Sequence, residues 1–460
     1  MEVQRVACIG AGYVGGPTMA VLASKCPEIQ VTVIDIDARQ IEMWNSNTLP
    51  VYEQGLYEIV QQARGRNLHF STAIFEELQN ADVIFISVQT PTKIMGEGAG
   101  RACDLTYVEQ SARSIAKACQ GNTLRKVIVE KSTVPVRTAQ AISNIIASNC
   151  EGLEFAVVSN PEFLAEGTAI QDLLNPDRVL VGGDTGWAVE TIVNLYKNWV
   201  RPEKILTTSL WSSELSKICC NAMLAQRISS INSISAICEK TGADIDEVAR
   251  VIGSDHRIGP AFLKTSVGFG GSCLAKDTLG LVYLCESLGL NEIAEYWMQV
   301  ILMNDLQKKR FARNLVRTLM NTLRDKRVGL LGFAYKKGTA DTRESAAAYV
   351  TRAILNEGAI LDIYDPKVPK EAILRELKIK EQEAQILFKS SAYKVARGVS
   401  ALVICTEWEE FRSLDYERIY SIMYKPAYIF DGRNILDHDR LKKIGFIVQG
   451  IGKANFTISN

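Results

Sequence analysis

The segment VGFGGSCLAKD, residues 267–277, sets two adjacent glycines and a serine before Cys273, with Lys276 and Asp277 following within one helical turn. Gly270 and Gly271 permit an unusual backbone turn, and Ser272 suits the N-cap of a helix opening at Cys273. That placing predicts a thiol on the first helical turn, where the helix dipole lowers a cysteine pKa. Asp277, four residues on, then projects from the same face as Cys273. The alternative is that small residues merely let this loop pass a neighbouring helix, since buried free cysteines are mostly inert. Packing is the reading for the other cysteines, Cys219-Cys220 included.

Two further polar pairs stand four residues apart. Lys217 and Asn221 lie in a long helical stretch and share a face, where an ammonium and an amide aimed together would clamp a developing oxyanion. Solvated surface polarity is the plainer account of such a pair. Glu162 and Glu166 fall in NPEFLAEG, directly after an apolar run, although Asn160-Pro161-Glu162 alone is only a good helix start.

At the other end of the chain, Gly10-Ala11-Gly12-Tyr13-Val14-Gly15 fits GxGxxG between a strand-like run and a helical pattern. The first glycine makes the turn, the second admits a pyrophosphate and the third lets helix and strand pack. Asp35, at the end of the next apolar run, suits the ribose hydroxyls and would repel a 2′-phosphate. NAD is therefore the expected cofactor. An activated cysteine beside NAD suggests oxidation of an alcohol beyond the aldehyde. The thiol supplies a tetrahedral thiohemiacetal carbon, whose oxidation leaves a thioester that water cleaves. Such a site needs a base, a cationic oxyanion stabiliser and a carboxylate to activate water.

The elements that must hold these groups follow the βα rhythm of a parallel sheet. Strands are predicted at 5–9, 31–35, 83–88, 127–130, 155–159 and 179–182, and several run into the loops QTPT, KSTVP and NPEFLAEG. Carboxyl ends of strands line the ligand crevice of open α/β sheets. From Trp211 to about Lys240 one helix without glycine or proline is expected, with more helix at 274–288 and 292–323. The βα rhythm resumes at Lys326, with strands in RVGLLGFAY, ILDIYDP, ALVICT and YIFDG and a helix in TRESAAAYVTRAILNEG. The expected fold is α/β: two Rossmann-like doubly wound domains, residues 1–210 and 326–460, joined by a central helical or dimerising domain, 211–325.

With 460 residues, two or three domains are expected. Basic and acidic residues both number 52, a balance that argues against a general role on nucleic acid or membrane surfaces. No secretory signal or spanning apolar run is visible. Eleven scattered cysteines without a framework spacing read as reduced thiols, hence a cytoplasmic protein. Three distant histidines and no CxxC make a metal site unexpected.

Together IGAGYVGGPT, EKSTVPVR, SNPEFLAEGTAI, WSSELSK, LAQRISSINSIS, VGFGGSC, DTRES, YDPKVP and FDGR closely resemble the UDP-glucose 6-dehydrogenase family, its animal form above all, over almost the whole chain. The resemblance implies four-electron, NAD-dependent oxidation of UDP-glucose to UDP-glucuronate. It implies Cys273 as nucleophile and Asp277 as the partner that helps activate water. Lys217 and Asn221 become the pair stabilising the reacting oxygen, Glu162 the general acid/base and Thr133 the holder of water. Near NAD it implies Gln89, Thr90, Thr92, Ser132, Thr133, Glu166, Lys276 and Arg343, beside the glycine loop. For the UDP-sugar it implies Glu162, Phe163, Leu164, Arg257, Phe262, Lys264, Phe269, Gly270, Tyr335, Lys336 and Arg433. Arg257 and Arg433 are expected to work across a subunit boundary. A homo-oligomer built from dimers up to a hexamer, and feedback by UDP-xylose with the 131–137 loop moving, are further implications.

The chain departs from the family pattern at Leu274-Ala275, where FQ is usual, and at Gln89, where asparagine is expected. Gln40 replaces an arginine, and RIGPAF replaces RIGNKF. A dehydrogenase of GDP-mannose or UDP-N-acetylmannosamine, a two-electron β-hydroxyacid dehydrogenase and a non-catalytic sensor are the competing readings.

Overall fold

A computed structural model describes residues 1–380 and 385–453. The chain divides into two compact units, Met1–Cys220 with Tyr283–Gly289, and Asn221–Val282 with the residues from Leu290 onward. The helices Leu210–Thr241 and Leu274–Ser287 each contribute residues to both.

The first unit holds β1 (Arg5–Ile9), β2 (Gln30–Ile34), β3 (Leu68–Ser71), β4 (Val83–Ile86), β5 (Lys126–Glu130), β6 (Phe155–Ser159), β7 (Val179–Gly182) and β8 (Ile205–Thr208). They form one sheet in the order β3-β2-β1-β4-β5-β6-β7-β8. The first six strands have the doubly wound dinucleotide-fold order, with the reversal between β1 and β4. Runs such as VIFI are apolar throughout because both faces are covered. Alternate residues feed opposite cores: Cys8, Val33 and Phe85 face one, Ile9, Ile84 and Ile128 the other.

One expectation fails here. The sheet is not wholly parallel, because β7 runs antiparallel to β6, meeting it at Ser159 and Gly182. The connection gives eight of its residues to the NPEFLAEG loop, and its only helix, Ala169–Leu174, has six. Six residues rise about 9 Å, too little to carry the chain back to the starting edge of the sheet. The chain re-enters from the end at which it left.

In the second unit, β9 (Arg327–Leu331), β10 (Ile360–Tyr364), β11 (Ile386–Phe388), β12 (Ala401–Ile404), β13 (Tyr428–Asp431) and β14 (Ile447–Gly450) form a parallel sheet ordered β11-β10-β9-β12-β13-β14. That order repeats the first sheet's, and here too alternate residues, Leu330 and Leu331 for example, enter separate cores. The same unit carries the helices Ile245–Ser254, Asn291–Thr318, Ala346–Asn356 and Lys370–Leu377. β9 stops at Leu331 because Gly332 turns with φ +86°. The helix expected from Thr342 begins only at Ala346, where the Ser345 hydroxyl caps it by accepting from the Ala347 N–H. Edge strands β3, β8, β11 and β14 and the helix Ile245–Ser254 are additions to the sequence reading; edge strands are short and half polar, so their pattern is weak.

Candidate active site

In the first unit the GAGYVG turn stands at the carboxyl end of β1. A Cβ at Gly10, which has φ +106°, would lie 2.2 Å from the Ser87 carbonyl oxygen, and one at Gly15 would lie 2.1 Å from the Gly10 carbonyl. Only glycine lets this turn close on β4 and on its own helix. A Cβ at Gly12 would meet nothing, so that side is open for a pyrophosphate to approach. Val14 precedes the helix Gly15–Lys25 without a side-chain cap, which suits an anion at the orphan N–H groups. Asp35 accepts from the Ala11 N–H at 2.8 Å and the Asp37 N–H at 3.0 Å, fixing a carboxylate at the end of β2. The donor set and the open glycine fit NAD. Gln40 donates its amide to the Ala11 carbonyl at 3.0 Å beside the Trp44 indole at 2.8 Å, so the departure at this position braces the glycine turn.

The loops after β4 and β5 are tied together. The Ser132 hydroxyl donates to the Val88 carbonyl at 2.7 Å, and Thr90 donates to the Thr133 carbonyl at 2.9 Å. Thr92 pairs with Cys103 in an isolated bridge, while Gln89 is exposed. Beneath them, Lys131 donates to Asn160 at 3.1 Å and Tyr196 at 3.2 Å, linking KSTVP to the start of NPEFLAEG. Glu53, buried, accepts from the N–H groups of Gly167 and Ala169, and the Tyr13 hydroxyl also accepts from Gly167. The half-buried Glu166 therefore sits in a braced loop.

Glu162 accepts from the Leu164 N–H at 2.7 Å and pairs with Lys217 at 3.4 Å; their side chains are 11% and 6% exposed. The Lys217 ammonium lies 5.1 Å above the Phe163 ring, and Arg178 lies 3.9 Å from its centroid. Arg178, absent from the sequence reading, also meets the Cys220 sulfur at 3.1 Å. On the same helix, Glu214 accepts from the N–H groups of Arg137 and Ala139, and burial raises its pKa. Burial, then the charge of Glu214, push the fully enclosed Glu130 well above the usual carboxylate range.

The second unit presents the cysteine. The Gly271 N–H donates to the Arg343 carbonyl at 2.9 Å, and Gly270 lies against Glu344, whose carbonyl oxygen would be 2.4 Å from a Cβ there. Asn304 holds Phe269 at both its N–H and its carbonyl, at 2.9 and 3.1 Å. The helix opens at Leu274, as the 274–288 reading had it and one residue later than a Ser272 cap would give, and the Cys273 carbonyl accepts from the Asp277 N–H at 2.9 Å. Cys273 itself therefore occupies the N-cap, because the anchored Gly271, at φ +86°, delays the first helical turn. Its thiol is exposed, 3.6 Å from the Ser272 hydroxyl. Asp277 is buried, accepting from Asn221 at 2.6 Å and pairing with Lys276 at 2.7 Å. Asn221 is thus engaged with a carboxylate, one helical turn along from Lys217.

Arg433 donates to the carbonyls of Cys405 and Tyr335, each at 2.7 Å, and pairs with Glu407 at 3.3 Å. It pins Tyr335, whose ring flanks Gly271, and Lys336 lies 5.7 Å above that ring. Arg343 grips Asp341 through two nitrogens. Arg257, Phe262 and Lys264 are exposed; Arg257 pairs with Asp255 of its own segment, and Phe262 has φ +61°. Arg227 donates to the carbonyls of Gly259 and Ala261 and so holds that segment to the long helix. The bracing residues Glu53 and Asn304, both buried, and the half-buried Arg227 were missed because an isolated polar side chain leaves no periodic signal. The nearest hint was a charge or amide inside an otherwise apolar helical run.

Among the described residues no cluster of histidine, cysteine and carboxylate suits a metal ion, and no helix is long and apolar enough to cross a membrane.

Comparison with known proteins places three matches in order along the chain. Residues 4–200 match the NAD binding domain of the UDP-glucose/GDP-mannose dehydrogenase family, 211–306 its central domain and 329–438 its UDP binding domain. A UDP-glucose 6-dehydrogenase of Gallus gallus is 56% identical over 465 residues, covering 98% of this chain and 94% of that protein. One of Drosophila melanogaster is 56% identical over 464 residues, covering 98% and 96%. Among solved structures, a UDP-glucose dehydrogenase from the hyperthermophilic archaeon Pyrobaculum islandicum aligns with a TM-score of 0.86 at 29% identity, covering 98% of each chain.

Proposed function

The chain belongs to the UDP-glucose/GDP-mannose dehydrogenase family, and from that premise we propose that it oxidises UDP-glucose to UDP-glucuronate in two steps through Cys273. It is an NAD-dependent dehydrogenase, and NAD is its cofactor. The observation that carries the covalent route is the braced turn of residues 268–272, which leaves the Cys273 thiol exposed.

NAD, when bound, takes two electrons and a proton at each oxidation. Its residues are the Gly10–Gly15 turn and Asp35, with the 89–92 and 132–133 loops, Glu166, Lys276 and Arg343 completing the set. Glu162 and Lys217 move the alcohol proton in the first oxidation, their ion pair keeping an ammonium and a carboxylate within reach of one oxygen. The Cys273 sulfur then adds to the aldehyde carbon, and the carbonyl oxygen takes up a proton. The second oxidation turns this thiohemiacetal into a thioester, its hydroxyl proton passing to Glu162. Water attacks the thioester carbon, giving the carboxylate and returning the thiol. Lys217 and Asn221 steady the oxyanion, Asp277 accepts the water proton and Thr133 holds that water.

The UDP-sugar is held by Phe163, Leu164, Phe262, Lys264, Phe269, Gly270, Tyr335, Lys336 and Arg433, whose cations answer a pyrophosphate. Arg257, 78% exposed in its side chain, serves a neighbouring copy, and Arg433 works at the same subunit boundary. That role supports a homo-oligomer of dimers, extending to a hexamer, with UDP-xylose feedback moving the 131–137 loop. Eleven scattered cysteines without a framework spacing support a reducing, cytoplasmic setting.

The test is NADH formed per UDP-glucose consumed, with native protein and with Cys273→Ser. Two NADH from the native protein, and loss of complete turnover in the variant, are expected. One NADH with little effect of the substitution would return Cys273 to the packed thiols and the reaction to simple alcohol oxidation. No NADH from either would point to another nucleotide sugar or to a sensor.

A further inference from the structure

The second unit contains a cavity of about 870 Å³ bounded by the helices Asn291–Thr318, Ala346–Asn356 and Lys370–Leu377. None of its lining residues is among those assigned above to NAD or the UDP-sugar. Five cations face it: Lys308, Lys309, Arg352, Arg375 and Lys378. Three carboxylates, Asp305, Glu344 and Glu376, answer them incompletely. Lys308 has a side chain only 9% exposed, yet it pairs at 3.4 Å with Asp305, which is 61% exposed. Arg352 reaches Glu376 at 3.9 Å. Among the described residues, no carboxylate stands within ion-pair distance of Lys309, Arg375 or Lys378.

The nearly enclosed Lys308 ammonium is thus weakly paired, because its carboxylate partner is distant and stands in solvent, where water screens its charge. The surplus of positive charge is spread over three elements, so a single monovalent anion cannot reach it all. Two of the five cations are guanidiniums, whose planar forks match phosphoryl oxygens two at a time. The half-buried Tyr349 adds a phenol to the lining. The cavity falls within the size range of small-molecule sites, well above what one phosphate fills.

We propose that this cavity binds a diphosphate or longer oligophosphate anion. It is independent of the reaction proposed above. The cavity also shares a wall with the turn that precedes Cys273. The Lys308 side chain lies where a Cβ on Gly268 would stand 3.1 Å from its Cγ, and Glu344 backs Gly270. A bound anion would thus press on the rear of that turn.

Inorganic pyrophosphate is the probe, titrated calorimetrically into native protein saturated with UDP-glucose and NADH, so that the nucleotide-sugar and dinucleotide sites are both filled and no turnover occurs. The comparison protein is Lys309→Glu/Arg375→Glu, with Arg375→Lys as the conservative control. Binding to native protein, weakened by about tenfold or more in the double variant and retained by Arg375→Lys, is expected, about 1.4 kcal/mol at the least. The double variant should keep the native melting temperature and NADH production without pyrophosphate. No binding to native protein at millimolar pyrophosphate would overturn the proposal. So would equal affinity in native and double variant. A parallel loss in Arg375→Lys, or a lowered melting temperature in the double variant, would also overturn it, since the cavity's charge would then serve folding.

Discussion

Gly270→Ala isolates the turn that presents Cys273. The new methyl carbon would stand 2.4 Å from the Glu344 carbonyl oxygen and 3.0 Å from the Ser345 Cα, where ordinary contact begins at 3.4 Å. The turn must therefore shift by about 1 Å, since both neighbours are backbone. Glu344 cannot yield cheaply: it has φ +51°, and Ser345 caps the next helix. Gly270 is not in the left-handed region, so alanine meets no conformational penalty there and the clash acts alone. Misplacing a reacting group by about 1 Å costs on the order of 100-fold in rate. That is about 2.7 kcal/mol in the barrier. Overpacking should also lower stability by about 1–3 kcal/mol. The control is Gly280→Ala on the helix Leu274–Ser287, where a Cβ meets nothing within 4 Å. It should stabilise by roughly 1 kcal/mol and leave activity alone. Initial rates of NADH formation, iodoacetamide labelling of Cys273 and thermal melts on the three proteins decide the matter. Gly270→Ala activity within about threefold of native would refute the claim that this contact sets the position of the thiol.

Two other consequences concern buried polar groups. Burial and then Glu214 raise the pKa of Glu130 above its ordinary 4.5, so the folded state holds a proton there that the unfolded chain has released. Stability should fall as pH rises from about 4.5 through the raised folded value, and Glu130→Gln should flatten that slope in denaturant titrations across pH; an unchanged slope would remove Glu130 as its source. Asn221→Ala takes from the buried Asp277 its 2.6 Å donor, leaving Lys276 at 2.7 Å. The midpoint of urea unfolding should drop by an amount worth about 2 kcal/mol at unchanged m-value, and a native midpoint would show that bond to be idle.

How much of this was legible beforehand depended on the range of the interaction responsible. Strands β1, β4, β5 and β6 announced themselves because both faces are buried, so that each holds at least three consecutive apolar residues. The long helix was equally plain, lacking glycine and proline over Leu210–Thr241. The glycine turn and Asp35 were readable for a similar reason: their geometry is set by residues within one βα unit. The sequence alone thus determined the fold class, the family and the dinucleotide turn. It did not determine the direction of β7, the one-residue delay of the helix after Cys273, or the partners of Lys217 and Asn221. The direction of β7 rests on its pairing with β6 across a connection whose one helix is short, and the others on contacts between residues more than 50 positions apart: Glu162 with Lys217, Asn221 with Asp277, Gly271 with Arg343. A buried polar side chain obeys no period, and its partner is chosen only when tertiary packing removes water from both. Desolvation turns a scattered lysine, asparagine or glutamate into a fixed part of a site, and desolvation is a property of the folded chain.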